Sequence, residues 1–169
     1  MAGIDHAHRA AEIVRDAGGI IVGRTRLQKI GFFLEAAGLG SGFPFRYKHY
    51  GPYSEVLASA AQHAVALRLI KEQESVANWG GLYSTFFSQI GGNPDPARTR
   101  FLELMRNADA VELELAATAA YLATEQWPDP WNETRRRKPD KAAGGRLERA
   151  RALYAKLSAT STPRPLPHL

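Results

Sequence analysis

The 169-residue chain contains no cysteine, which excludes disulfide bonds, thiolate metal ligands and cysteine nucleophiles together. It has no apolar run approaching ~18 residues, and its first residues lack the basic start and apolar stretch of a signal peptide. We therefore expect no membrane span and no membrane partner. A cysteine-free chain without an export signal is expected in the cytoplasm.

The familiar catalytic and cofactor-binding motifs are also missing. No two of the five histidines stand four residues apart, the spacing that puts two metal ligands on one helical face. The glycines at 38–42 lead into a strand pattern, whereas a phosphate loop leads into a helix. Glu103, Glu112 and Glu114 fit a solvated helix face better than an acid–base pair. We expect no catalytic residue, metal or cofactor, so that an enzyme would be of an unrecognised type.

The positive charge is unevenly distributed along the chain. Residues 1–134 hold 12 basic and 15 acidic side chains, whereas residues 135–156 hold 9 basic and 2 acidic ones. This basic segment is interpreted in three ways: a solvated surface, a docking site for an acidic protein or a second copy, or a set of phosphate contacts. The candidate nucleic-acid-binding residues are Arg135, Arg136, Arg137, Lys138, Lys141, Arg146 and Arg149.

The pattern of the first 92 residues predicts a mainly α fold with a small β component. Apolar residues supply 44% of the sequence, enough for one domain. Helical periodicity, capping residues and β-branched runs predict helices over 5–17, 26–37 and 54–67, and strands over 20–22, 45–49, 69–74 and 82–90. Gly51-Pro52 is expected to end the second strand, and a glycine-rich turn at 78–81 to join the last two. This order is winged-helix-like.

A helical extension is predicted from residue 93 to residue 160. Helices are expected from about Ala97, from Asp109 and over 140–158, with a stiff connector at 127–131. Residues 161–169, rich in proline, are expected to form a flexible tail. We therefore expect a single domain over 1–160, made of a winged-helix-like core and this extension.

The second predicted helix carries one aromatic residue on its polar side. A helical wheel places Leu27 and Ile30 toward the core and Gln28 and Lys29 opposite them. Phe32 falls among the polar residues. We expect it to meet a second layer of the same domain, the alternative being contact with a partner.

Aromatic and basic residues alternate along the strand that follows, so that it has one aromatic and one basic face. Exposed residues of this strand and of the second helix would meet a protein partner. The candidate partner-binding residues are Gln28, Lys29, Phe32, Tyr47, His49, Tyr50 and Tyr53.

Residues 23–72 resemble two bacterial families. The segments Leu27-Gln28-Lys29 and Tyr50-Gly51-Pro52 are similar to motifs of the uncharacterised YwgA-like proteins and, more distantly, of the Panacea domain of SocA-type antitoxins. The run at 30–33 departs from the Panacea pattern. The resemblance implies a winged-helix-like core and no catalytic residue, and it makes a toxin, a nuclease or a defence component an expected partner.

The third predicted helix offers little for reading DNA. Its outward residues would be Glu55, Ser59, Gln62 and Ala66, and only Gln62 is of a type that commonly reads base edges. We therefore predict a non-enzymatic interaction module: a protein-binding adaptor, an antitoxin-like protein or a regulatory subunit. A DNA- or RNA-binding regulator is the alternative, with residues 135–156 and the tip near Asn78-Trp79 as phosphate contacts, and a homo-oligomer is left open.

Overall fold

The computed structural model describes residues 2–169. Eight helices and five short strands account for most of these residues. The elements are α1 (Ala2–Asp16), β1 (Ile20–Val22), α2 (Arg24–Ala36), β2 (Arg46–Lys48), β3 (Gly51–Tyr53), α3 (Glu55–Ala66), β4 (Ile70–Val76), β5 (Leu82–Ser88), α4 (Pro96–Arg106), α5 (Ala110–Thr124), α6 (Pro130–Arg137), α7 (Pro139–Ala142) and α8 (Arg146–Ala159).

Local side-chain chemistry explains where several helices begin. The Ser54 hydroxyl accepts a hydrogen bond from the Leu57 amide and caps α3. Asp109 accepts from the amides of Val111 and Glu112 and caps α5 in the same way. Both caps were predicted from the sequence and are confirmed.

The predicted connector at 127–131 exists but ends at residue 129, and the predicted start of the last helix is wrong. Asp129 caps α6, and Pro130 stands in its first turn, where a missing amide hydrogen costs nothing. The last helix begins at Arg146 rather than at residue 140, because Gly144 and Gly145 adopt positive φ angles of 67° and 79°.

Three strands form an antiparallel sheet in the order β1-β5-β4. Ile21 lies opposite Phe86, and Ile70 lies opposite Ser88. Ile21, Phe86 and Ile70 are buried on the sheet face that meets the helices. The small sheet and the many helices confirm the predicted α+β class.

A second, two-stranded sheet pairs β2 with β3, with Tyr47 opposite Pro52. Gly51-Pro52 therefore does not end the extended segment, as predicted, but begins the returning strand. Gly51 has a φ angle of 89°, which lets the chain reverse after Tyr50.

The extension covers the aromatic strand. The Phe32 ring lies 5.8 Å from the Phe45 ring and 6.1 Å from the Tyr121 ring of α5, so Phe32 meets a second layer of its own chain as expected. Tyr121 also lies 6.0 Å from Tyr47, and the Arg137 guanidinium of α6 lies 4.8 Å above the Tyr47 ring. This contact joins the two halves of the chain.

Residues 161–169, predicted as a flexible tail, lie against α2 and α8. The Arg164 amide donates to the carbonyl of Ala37 at 2.9 Å, and the Tyr154 hydroxyl donates to the carbonyl of Pro167. Leu166 is buried. Three prolines lower the conformational entropy lost when this segment packs, and burial of Leu166 offsets part of the remaining loss.

Candidate functional site

Gln28 binds the backbone of residue 54. Its amide nitrogen donates to the Ser54 carbonyl at 3.0 Å, and its amide oxygen accepts from the Ser54 amide at 2.8 Å. The wheel placed Gln28 on the outward side of its helix, and this placement is wrong: the residue is buried. Its role is to hold the residue that caps α3.

Lys29 is also buried, with 1% of its surface exposed, although the wheel placed it outward. Its Nζ donates to the Pro52 carbonyl at 2.8 Å. Burial lowers the pKa of Lys29 from the usual 10.5 to about 7, although nearby Glu114 raises it. Gln28 and Lys29 do not lie on the outer surface where a protein partner would dock, and the same correction applies to Phe32.

The Glu114 carboxylate on α5 binds two lysine side chains. It accepts from Lys138 at 3.1 Å and from Lys141 at 2.7 Å, and Lys138 also donates to the carbonyl of His49 at 3.0 Å. Glu114 is buried, so its predicted place on a solvated face is wrong. A carboxylate in the interior needs such partners, since an unpaired one costs several kcal/mol.

The turn also meets α5 directly. A Cβ at Gly51 would lie 2.5 Å from the Thr118 Oγ1, so a larger residue would have to displace this hydroxyl, which donates to the Glu114 carbonyl. The Lys141 ammonium lies 4.8 Å from the centre of the Tyr50 ring. We call the side chains of Gln28, Lys29, Glu114, Lys138 and Lys141 the turn cluster, because all five surround residues 49–54.

A crevice of about 360 Å³ opens beside the turn cluster, between α2 and α3. We call it the α2–α3 crevice. Its lining residues are buried at the inner end and exposed at the mouth. The inner end is formed by Leu27, Gln28, Lys29, Ala61 and Phe86. The mouth is formed by Arg24, Tyr50 and Gln62, and the half-buried residues beside it are Thr25, Tyr53 and Ala58.

Four of the seven predicted partner-binding residues reach the surface. Tyr50 and His49 are exposed, and Tyr47 and Tyr53 are half-buried. Tyr50 and Tyr53 line the crevice, whereas Tyr47 packs under Arg137. The structure thus brings the predicted residues into one region but divides them between a buried cluster and its rim.

The basic segment has acidic partners within the chain. Arg136 and Arg137 bind Glu133, and Arg149 approaches Glu112 at 3.4 Å. Arg135 lies 3.8 Å from Glu148, and Arg146 donates to backbone carbonyls. Lys138 is buried, which corrects its assignment as a phosphate contact.

No family model, curated protein or solved structure matches the chain. The resemblance to YwgA-like and Panacea proteins therefore stays a prediction. The residues that carry it nevertheless meet in the structure, since Gln28 and Lys29 bind the two residues on either side of Tyr53. Among residues 2–169, no three acidic or histidine side chains are grouped to hold a metal ion. No helix in this range has the length and apolarity to cross a membrane.

The β4–β5 hairpin presents an apolar surface that the predicted site residues do not include. Val76 and Leu82 lie opposite each other, and Trp79 stands in the turn between them. These three residues form the hairpin surface, whereas Val22 of β1 and Tyr83 of β5 lie on the opposite face of the sheet. The sequence contained a signal for this surface, namely large apolar residues beside a glycine-rich turn. Residues at the tip of a hairpin are usually exposed to water, so apolar ones there indicate a contact with another surface.

Proposed function

We propose that the chain is a non-catalytic, winged-helix-like module that binds a protein partner through the hairpin surface. One observation carries the proposal. Val76, Trp79 and Leu82 are 70%, 79% and 65% exposed, more than any other large apolar side chain of residues 2–169. Clustered exposed apolar residues are typical of protein interfaces, and tryptophan is enriched among the residues that dominate binding energy.

The element order supports the winged-helix description. A helix, a short strand, two further helices and a hairpin follow one another, and the first strand pairs with the second strand of the hairpin. In this description α3 is the third helix and the β4–β5 hairpin is the wing. The short β2–β3 hairpin is an insertion between the second and third helices.

The hairpin surface is held in place before any partner arrives. The Ala77 amide donates to the Gly81 carbonyl at 2.8 Å and closes the turn. The Trp79 ring lies over Gly81, where an added Cβ would overlap the ring carbons. A side chain that is already placed loses less entropy on binding.

The charges near the hairpin surface favour an apolar protein segment over a nucleic acid. A groove of about 510 Å³ separates the hairpin from the first turn of α2. Arg24 at its edge lies 2.6 Å from Glu72 and 3.9 Å from Glu74. Beside α3, Lys48 binds Glu55. Cations that are already paired offer little to phosphates, whereas phosphate contacts supply most non-specific affinity for DNA.

The antitoxin-like role, the cytoplasmic location and the identity of the partner as a toxin, nuclease or defence component belong to the same proposal. Only the resemblance of residues 23–72 supports the antitoxin-like role and those partner classes, and only the absence of cysteine supports the location.

The proposal is tested by photocross-linking in the native host. A benzophenone amino acid replaces Trp79 in one protein and Arg135 in another, both of which are exposed. We expect a discrete cross-linked protein from position 79 and none from position 135. A cross-link to a second copy alone would contradict a distinct protein partner.

The cross-linked protein is then purified for binding measurements. Gly81→Ala, which displaces the Trp79 ring without removing it, and Leu82→Ser should each weaken binding at least about tenfold. Binding should change little between about 0.1 and 0.5 M salt, since the contact is apolar. DNA binding that disappears when residues 135–137 become alanine would instead favour the nucleic-acid alternative.

A further inference from the structure

Of the three lysines in the turn cluster, Lys29 is the one that forms no ion pair with a carboxylate. Lys138 and Lys141 both bind Glu114, at 3.1 and 2.7 Å. Lys29 has one hydrogen-bond acceptor among residues 2–169, the carbonyl of Pro52. A lysine ammonium group has three N–H donors and strongly favours a counterion when buried. Three lysines around one carboxylate therefore leave the cluster short of negative charge.

Lys29 is also one of the residues that line the α2–α3 crevice. Lys29 lines its inner end together with Leu27, Ala61 and Phe86, all of them buried. Its volume of about 360 Å³ falls within the range of small-molecule sites, roughly 300–1,000 Å³. Tyr50 and Tyr53 stand at and beside the mouth, where an aromatic or aliphatic body would pass between them.

The other charged and amide side chains of the crevice are already bound. Both ends of the Gln28 amide bind residue 54. At the mouth, Arg24 and Gln62 both bind Glu72, at 2.6 and 3.1 Å. A ligand with several charges would find one unpaired cation only, whereas a ligand with one carboxylate and an apolar body would match the site.

We propose that the α2–α3 crevice binds a single carboxylate attached to a small aromatic or aliphatic group, with the carboxylate beside Lys29 and the apolar group against Leu27, Ala61 and Phe86. The carboxylate belongs either to a free organic acid or to the C-terminus of a peptide, since both present the same chemistry. The proposal does not depend on the hairpin surface binding a protein.

Proton uptake gives the binding a distinctive pH dependence. The groups that face Lys29 are Glu114, Lys138 and Lys141, and they are present with and without ligand. Because the pKa of free Lys29 is about 7, the amine has to gain a proton when the anion binds above that pH. The affinity should therefore be nearly constant from about pH 5.5 to 6.5 and fall about tenfold per pH unit above pH 7.

The full chain is titrated with phenylacetate and, as the neutral control, with phenylacetamide, and amide NMR shifts are followed. We expect phenylacetate to shift the resonances of Leu27, Ala61 and Phe86, and the amide to bind at least about tenfold more weakly. A C-terminal phenylalanine tripeptide and its C-terminal amide form the second arm. Tighter binding of the tripeptide acid than of phenylacetate identifies a peptide as the source, and the reverse identifies a free acid.

Two variants locate the site. Lys29→Met removes the cation, and Ala58→Phe fills the crevice from α3 without replacing a residue of the turn cluster. Each should reduce phenylacetate affinity at least about tenfold, and Lys71→Met, which removes an exposed lysine on β4, should leave it unchanged.

Ala58→Phe and the pH profile keep the test decisive if Lys29→Met does not fold. Three results would overturn the proposal: equal binding of acid and amide, a pH-independent affinity above pH 7, or no binding of phenylacetate or the tripeptide up to about 10 mM.

Discussion

Replacing Lys29 by methionine should change how the stability of the protein depends on pH. In the folded chain the pKa of Lys29 is about 7, and in the unfolded chain it returns to about 10.5. Between these two values the unfolded chain binds one more proton than the folded chain. The free energy of unfolding therefore rises with pH in this interval, by up to about 1.4 kcal/mol per pH unit.

The contribution of Lys29 to the free energy of unfolding is large enough to measure in mildly alkaline solution. From about pH 7.5 to about pH 9.5 the Lys29 contribution should add roughly 2–3 kcal/mol to the stability of the native protein. Below about pH 6 the contribution is constant, because both states are protonated there. Lys29→Met lacks this contribution. The free energy of unfolding of the native protein should therefore increase relative to that of Lys29→Met as the pH rises.

Urea unfolding followed by tryptophan fluorescence measures this difference. Bis-tris propane is a suitable buffer because it is a cation and supplies no carboxylate to the α2–α3 crevice. All other titrating groups are common to both proteins, so their contributions cancel in the difference. Parallel pH profiles for the native protein and Lys29→Met would refute the reasoning.

Three further substitutions test the packing around the turn and the tail. Gly51→Ala should cost about 1–3 kcal/mol, more than Gly144→Ala, since both have positive φ angles but only Gly51 faces a rigid neighbour, Thr118; urea midpoints give the comparison. Gln28→Leu leaves the buried Ser54 amide without its acceptor and should cost about 1–3 kcal/mol in the same assay. Leu166→Ser should lower the free energy of unfolding by about 1.5–3 kcal/mol, whereas Leu169→Ser, at an exposed site, should change it by less than about 0.5 kcal/mol.

The features that the sequence predicts correctly depend on neighbouring residues. Ser54 and Asp109 cap helices through amides two or three residues away, and the hairpin turn closes over four residues. The same kind of signal was present at Asp129-Pro130, an acidic cap followed by a proline, and would have identified α6.

The turn cluster was not predictable from local pattern. A helical wheel assigns Gln28 and Lys29 to the solvent side because they are polar, but their partners lie 26 and 23 residues away. Glu114 meets lysines 24 and 27 residues further on. Polarity tells which groups need partners and does not tell whether water or a distant backbone supplies them.

The contact between the turn and the extension bears on the order in which the chain can fold during synthesis. When residues 1–92 have just left the ribosome, Thr118, Glu114 and Lys138 have not yet emerged from it. The His49 carbonyl, the Tyr47 ring and Gly51 then lack the surfaces that cover them in the finished protein. The β2–β3 hairpin should therefore become protected from hydrogen exchange only after α5 and α6 have emerged, so a segment from the first third of the chain is among the last to become ordered.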